Sequence, residues 1–297
     1  MLEQSYWLSC GYNIIAYHEA ERIISSFNRD KIPVIVLKGL ALADFIYPHI
    51  GMRKMTDIDI LIKNKDLSCV CERLENLGFK LQPGHSSFLF LKQESVPIYV
   101  DLHTGIPYLK EQDIWDTTRT VQINEIEVKT LSLEQSIIYF CYHLAVSHAS
   151  VENRWFEDIH RFIEKYGVQI HWQYIVEKVK EYKLGIPVYW CLKRVQENFG
   201  TPIPDLVFTQ LKPATSLKSN VFKSILKNQK PIPGIDYVST VLFFSPGYLL
   251  SVAFPPVDFL KLRYNTNSPK VYFYYFIRPF SLLSDLVKGT IGLIFSS

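Results

Sequence analysis

Three aspartates stand in alternating segments of the sequence, where they could serve one chemical task. Asp57 and Asp59 begin the run 57–62, in which isoleucines separate and follow the acidic residues. Residues two apart in a β-strand point to the same face, so both carboxylates are predicted to stand side by side while the isoleucines enter a core. Adjacent carboxylates repel and raise each other's pKa unless a cation lies between them. The usual cation is Mg²⁺, which takes oxygen ligands and shares them with phosphates.

A third carboxylate lies in a second alternating run, residues 98–103. Val100 and Leu102 are predicted to face the core, and Asp101 and His103 the opposite side. If this strand pairs with the first, the three aspartates could hold two metal ions about 3.5–4 Å apart. His103 is open to two interpretations, a contact to substrate or base and a hydrogen-bonded structural histidine.

A strand and a tight turn precede these aspartates. Residues 34–37 form a β-branched apolar run typical of a buried strand, and Lys38 and Gly39 break it. Residues 40–47 have the composition of a helix that ends before Pro48. Backbone N–H groups from Gly39 onward would then meet a phosphate. Lys38 and Arg53 are candidate phosphate contacts; the alternatives are a solvated lysine and a surface salt bridge.

The segments LKGLAL, GMRKMTDIDIL and VDLH together resemble the uncharacterised nucleotidyltransferase family of the DNA polymerase β-like nucleotidyltransferase superfamily. The resemblance continues weakly through LSLEQSIIYFCYHLAVSH and RWFEDIHRFI, to about residue 200. It implies that Asp57 and Asp59 are the metal-binding pair, that Asp101 is the third carboxylate, and that Gly39 lies in the phosphate-binding turn. The superfamily commonly has Gly-Ser or Gly-Gly at this turn, whereas Leu40 follows the glycine here, which removes a hydroxyl that would contact a phosphate.

The resemblance implies an α+β fold, a small mixed sheet with flanking helices followed by a mostly helical region. It also implies an Mg²⁺-dependent enzyme, with Mn²⁺ as the alternative metal. This enzyme would transfer a nucleoside monophosphate from an NTP to an acceptor, a small molecule or peptide being favoured, and release pyrophosphate. Asp101 would also help to deprotonate the acceptor.

The competing hypothesis is a non-catalytic nucleotide- or partner-binding module with the same fold. Leu40 and the apolar C-terminal region favour it. The presence of all three aspartates argues against it, because a binding module has no need to bear their mutual repulsion.

Composition indicates a folded protein of one large or two small domains. Of its 297 residues, 48% are hydrophobic and 21% charged. Residues 201–297 hold ten Lys or Arg against four Asp and so carry a net charge of +6. The whole chain carries +3, so residues 1–200 carry −3. The basic residues form no runs, which argues against long nucleic acid as a partner.

Cysteine usage and the first residues predict a cytoplasmic protein. Five cysteines without Cys-x-x-Cys spacing favour a reducing compartment. The opening MLEQSYWLSC has no basic region ahead of its apolar residues, which argues against a signal peptide.

We predict three regions along the chain. Residues 1–130 form the catalytic core, with an N-terminal helix over 4–28 that packs on the sheet. A second helix over 66–77, a turn at Pro83 and Gly84, and an antiparallel pair, 87–92 with 96–102, belong to this core. Residues 131–200 form a helical region that makes a wall of the cleft, opened by a capping box at Ser132. Residues 201–297 are rich in proline and predicted to be rich in loops.

The C-terminal region raises the question of a membrane. Residues 237–257 carry no charge over 21 positions, but Pro246 and Gly247 interrupt them. Two short buried segments are therefore predicted instead of a spanning helix. The aromatic run 271–276 is open to two interpretations, a helix packed on the helical region and a contact with a membrane surface.

Overall fold

The computed structural model divides the chain into two compact units, Met1–Ser132 and Leu133–Ser297. The first unit contains the sheet and the predicted site residues, and the second is helical. The structure describes residues 2–43, 45–82, 88–123, 125–147, 153–227, 233–244, 246–264, 266 and 268–295.

The first unit is built on a mixed seven-stranded sheet with the strand order β3-β4-β5-β2-β1-β7-β6. Its strands are β1 (Val34–Val36), β2 (Ile58–Ile62), β3 (Lys80–Leu81), β4 (Phe88–Lys92), β5 (Ile98–His103), β6 (Thr118–Ile123) and β7 (Ile126–Leu131). Its helices are α1 (Leu2–Arg29), α2 (Leu67–Asn76) and α3 (Glu111–Asp116). The α+β class predicted from the sequence is confirmed.

The predicted strands of the site are confirmed, and their register brings the acidic residues together. β2 and β5 are parallel neighbours, with Asp59 paired to Asp101. β4 and β5 form the predicted antiparallel pair. The turn predicted at residues 83–84 lies outside the described residues.

Helix α1 packs on this sheet, as predicted. Its buried stripe recurs every three or four residues, the spacing of one helix face, and contains Ala16, Ala20, Ile24 and Phe27. Glu19 of α1 forms a buried ion pair with Lys92 of β4, with 3.0 Å between Oε1 and Nζ. Apolar packing and a charged contact therefore both fix α1 against the sheet.

The helix predicted over residues 40–47 is wrong, because the described residues of this segment form consecutive turns. The amide of Ala43 donates to the carbonyl of Gly39 over 2.9 Å, and that of Ile46 donates to Leu42 over 2.9 Å. Residues 40–43 are all buried. Core packing on every side, and not one apolar stripe, therefore sets their conformation.

The described part of the second unit is a series of helices. They are α4 (Leu133–Tyr142), α5 (Asn153–Tyr166), α6 (Trp172–Glu181), α7 (Gly185–Phe199), α8 (Asp205–Leu211), α9 (Leu217–Lys227), α10 (Ile235–Phe243), α11 (Pro246–Ala253), α12 (Val257–Arg263) and α13 (Tyr274–Phe295). The prediction that residues 201–297 are rich in loops is therefore wrong. Three prolines of this region stand at helix starts, where a missing N–H costs nothing: Pro204 precedes α8, Pro246 opens α11 and Pro256 precedes α12.

The uncharged stretch 237–257 forms two short helices, α10 and α11, and not one long helix. The predicted burial holds for parts of α10 only, because no residue of α11 is buried. Within the described ranges, no helix combines the length and the apolar character needed to cross a membrane.

Candidate active site

Asp59 and Asp101 lie side by side on the central parallel strands of the sheet. Ligand atoms of Asp59, Asp101 and His103 all lie within 4.8 Å of one another. The alternation of β5 buries Ile98, Val100 and Leu102 and leaves the residues between them partly exposed. The apolar face of β5 therefore holds the strand in the core while its other face presents a carboxylate and an imidazole.

His103 lies between the two carboxylates. Its Nε2 is 3.2 Å from Oδ1 of Asp59 and 3.4 Å from Oδ2 of Asp101. Burial alone lowers the pKa of His103, but the charge of Asp101 and hydrogen bonds to both carboxylates outweigh it and raise the pKa to about 9. A protonated His103 thus partly neutralises the acidic pair.

Lys38 supplies a second positive charge to the same carboxylate. Its Nζ lies 2.5 Å from Oδ1 of Asp59, and both side chains are largely buried. The backbone of Lys38 has φ = 39°, a left-handed conformation, directly after β1 and Leu37. The interpretation of Lys38 as a merely solvated lysine therefore does not hold.

Asp57 stands one residue before β2 and outside the close group of ligand atoms. Its Oδ1 accepts a hydrogen bond from Oγ1 of Thr56 over 3.0 Å. Burial and then the charge of Asp59 raise the pKa of Asp57 to about 6, with Asp101 adding to the effect. Asp57 is thus electrostatically coupled to the pair.

Gly39 gives room to the Arg53 side chain. A Cβ at Gly39 would lie 2.8 Å from Nη1 of Arg53 and 3.3 Å from Cγ of Met55. Arg53 is buried and is not the surface residue of the alternative interpretation. Leu40 is also fully buried, so a side chain at position 40 enters the core.

Three polar side chains of α1 hold the segments that carry these residues. Asn13 is fully buried, and its Nδ2 donates to the carbonyls of Ile50 (2.6 Å) and Arg53 (2.7 Å). Its Oδ1 accepts from the amide of Met55 over 3.2 Å. One side chain therefore fixes both sides of the loop that carries Arg53.

Two tyrosines of α1 extend this arrangement. Tyr17 donates from its hydroxyl to the carbonyl of Leu40 over 2.9 Å, next to the turn. Tyr12 donates to the carbonyl of Thr56 over 2.7 Å, next to Asp57. The sequence analysis missed these roles. The available signal was Asn13, a polar residue four positions before Tyr17 in the stripe that α1 buries.

A model of the uncharacterised nucleotidyltransferases matches residues 2–200, more than half of the chain. The chain belongs to this family. The match spans α1, the whole sheet and the helices through α7. Among curated proteins, none matches the sequence significantly.

Solved structures with a similar arrangement include an antibiotic-resistance factor, a lincosamide antibiotic adenylyltransferase and a nucleotidyltransferase-like protein. ANT(2″)-Ia in complex with adenylyl-2″-tobramycin shares 14% identity over 56% of this chain and 96% of its own, with a TM-score of 0.41. The lincosamide antibiotic adenylyltransferase LnuA, lincomycin-bound, shares 16% identity over 49% of this chain and 94% of its own, with a TM-score of 0.37. A nucleotidyltransferase-like protein from Paracoccidioides brasiliensis shares 14% identity over 70% of this chain and 95% of its own, with a TM-score of 0.42.

Proposed function

We propose that this family member is a metal-dependent nucleotidyltransferase. It transfers a nucleoside monophosphate from an NTP to a hydroxyl, amine or phosphate group of a small molecule or peptide. The observation that carries the proposal is the in-register pair of Asp59 and Asp101, with His103 on the same strand face. Two like charges that lie close together and largely buried are costly to stability. A divalent cation bound between the two carboxylates would offset this cost.

The donor set fits a divalent cation. Two carboxylates and the imidazole of His103, once it has released its proton, offer ligand atoms within 4.8 Å of one another. Carboxylate oxygens suit Mg²⁺ and Mn²⁺, and the imidazole is the better match for Mn²⁺. Asp57, two residues before Asp59, is the third acidic group of the proposed site. When bound, such a cation neutralises charge on the triphosphate and on the departing pyrophosphate.

The residues of the chain divide the remaining work. Asp59 and Asp101 hold the cation, and the charges of Lys38 and Arg53 attract the phosphates beside the Gly39 turn. The acceptor atom forms a bond to the α-phosphorus as the bond from that phosphorus to the pyrophosphate oxygen breaks. Asp101, the more exposed carboxylate of the pair, takes the acceptor proton. Most of the catalysis then comes from positioning and charge neutralisation.

One observation favours the second candidate, a non-catalytic binding module. The ion pair of Lys38 with Asp59, together with His103, already compensates the acidic charge without a metal. A chain with this compensation could keep the fold and bind a nucleotide without turning it over.

Turnover with labelled nucleotides separates the two candidates. The full chain is titrated with Mg²⁺ or Mn²⁺ and each of the four NTPs, and pyrophosphate release and thermal shift are read together over a panel of hydroxyl, amine and peptide acceptors. The proposal predicts metal-dependent pyrophosphate release that Asp59→Asn abolishes. A metal-dependent thermal shift with no release over the whole panel would favour the binding module.

A further inference from the structure

Helix α13 presents its apolar side to solvent. An apolar stripe, with members three or four residues apart, runs along its outer face and begins just before the helix. The stripe consists of Phe273, Phe276, Phe280, Leu283, Val287, Ile291 and Ile294, and all seven are exposed. A helix of a soluble domain normally turns such a stripe to the core.

The inner face of α13 is held by its two buried residues, Arg278 and Gly289. Arg278 is buried, donates from Nε to the carbonyl of Val252 over 2.7 Å, and lies 5.4 Å from the ring centre of Phe259. Gly289 is buried against Gly234 so closely that a Cβ on either glycine would clash with backbone of the other segment. These contacts fix the rotation of α13, so the apolar stripe must face outward.

The apolar stripe is too large for an ordinary exposed surface. Its three phenylalanines are 63–73% exposed, and a full aromatic side chain offers about 150–250 Å². With four aliphatic residues beside them, the exposed apolar area exceeds the roughly 300–600 Å² of the largest patch on a typical monomer. A patch of this size indicates a surface that something covers.

The charge around the apolar stripe selects an occupant. Residues 201–297 contain no Glu and carry +6. Lys270 stands exposed just before the stripe. Lys288, next to Val287 on α13, is also exposed and pairs with Asp285 of the same helix over 3.0 Å. A second copy would bring two such regions together and they would repel, whereas an anionic lipid surface attracts them.

We propose that α13 is an interfacial anchor that lies on an anionic lipid surface. At 22 residues it is about 33 Å long, and its ring-rich outer face suits shallow insertion at the headgroup boundary. The anchor is independent of the proposed transfer reaction.

Vesicle sedimentation of the full chain tests this anchor. The vesicles are phosphatidylcholine alone and phosphatidylcholine mixed with phosphatidylglycerol. The variants are Phe276→Ser with Phe280→Ser, and Lys270→Glu with Lys288→Glu. The matched control is Val168→Ser, which removes a fully exposed apolar side chain of the same unit. Circular dichroism checks that each variant keeps its helices.

The parent is expected to sediment with the mixed vesicles. The phenylalanine variant should lower the vesicle partition coefficient about tenfold or more, because it removes two rings that would be buried in the lipid. Val168→Ser should leave the coefficient unchanged. The lysine variant should lose the preference for phosphatidylglycerol. The proposal is overturned if the parent binds neither vesicle, or if the phenylalanine variant binds as well as the parent. The proposal is also overturned if light scattering shows that the parent is a dimer that does not bind vesicles, and that the phenylalanine variant is a monomer.

Discussion

Asp59 is compensated from two sides, by the ammonium of Lys38 and by the imidazole of His103. These two partners offset much of the cost of an almost fully buried carboxylate next to Asp101. The arrangement also means that a divalent ion must compete with a lysine for the same oxygen. Residues at this scale therefore decide both the stability and the metal affinity of the site.

The compensation can be tested with Lys38→Met. Because it leaves a buried carboxylate without its ammonium, the free energy of unfolding should fall by up to about 3 kcal/mol. Mg²⁺ or Mn²⁺ should then raise the melting temperature more in the variant than in the parent, since the cation replaces the lost charge. Differential scanning calorimetry measures both, with the exposed Lys65→Met as the control. A variant as stable as the parent, with an equal metal shift, would show that Lys38 does not compensate Asp59.

The glycine of the turn is expected to act through Arg53. Gly39→Ala would push the guanidinium away from its place, and the loss of a charged hydrogen bond is worth about 1.5–3 kcal/mol. Calorimetry in Mg²⁺ should therefore show NTP binding weakened roughly tenfold or more by Gly39→Ala and by Arg53→Ala alike. The double variant should bind NTP like Arg53→Ala alone. Fully additive losses would instead indicate that a phosphate contacts the Gly39 backbone directly.

Part of the site could be predicted from residue types alone. The alternation in 98–103 was enough to separate Asp101 from Val100 and Leu102. The partner of Lys38 was not predictable, because the left-handed backbone at this residue depends on tertiary packing and no glycine or asparagine marks it.

At the scale of elements, β5 combines two duties on opposite faces. Leu102→Ala should lower the free energy of unfolding by about 2–4 kcal/mol through lost burial and a cavity. Asp101→Ala should remove turnover, because it deletes a proposed metal ligand, and should lower stability less than Leu102→Ala, because relief of the repulsion with Asp59 offsets the loss of the contact with His103. Urea denaturation and pyrophosphate release measure the two effects. Equal stability losses at both positions would contradict the assignment of the two faces.

Helix α1 is the element that positions the turn, the loop and the start of β2. Asn13→Ala removes three hydrogen bonds to the loop around Arg53, at a cost of about 2–3 kcal/mol. It should also weaken NTP binding, because Arg53 loses its support. The control is Ile24→Ala, a buried change about three turns along the same helix, which costs similar stability.

Calorimetric NTP affinity separates positioning from general destabilisation. With both variants folded at the measuring temperature, only Asn13→Ala should bind NTP more weakly. If the two variants bound NTP equally well, Asn13 would be a structural residue without influence on the site.

The contacts of α1 show where prediction at the element scale ends. The helix itself follows from its apolar spacing, but its hydrogen-bond partners lie 23–44 residues away in the sequence. The helix predicted over residues 40–47 was wrong for a related reason. Its helical composition was overridden by the burial of residues 40–43, which local propensity does not encode.

At the scale of the whole molecule, the two units differ in secondary structure and charge. The sheet and the proposed site lie in the first unit, and the region that carries +6 lies in the second. The family match ends at residue 200, so it says nothing of α8 to α13. Proline content was misleading there, because prolines that start helices and prolines that fill loops look alike in sequence.

The central claim is that Asp59 and Asp101 hold a divalent cation, and Mn²⁺ binding tests it without knowledge of the acceptor. Mn²⁺ is titrated into the parent with an NTP present, and the free ion is followed by electron paramagnetic resonance. Asp59→Asn and Asp101→Asn are compared with Asp116→Asn, an exposed aspartate of the same unit. The account predicts tight binding by the parent and by Asp116→Asn, and weakening of about tenfold or more in the other two, as expected for loss of a charged ligand. Unchanged Mn²⁺ affinity in Asp59→Asn would contradict it.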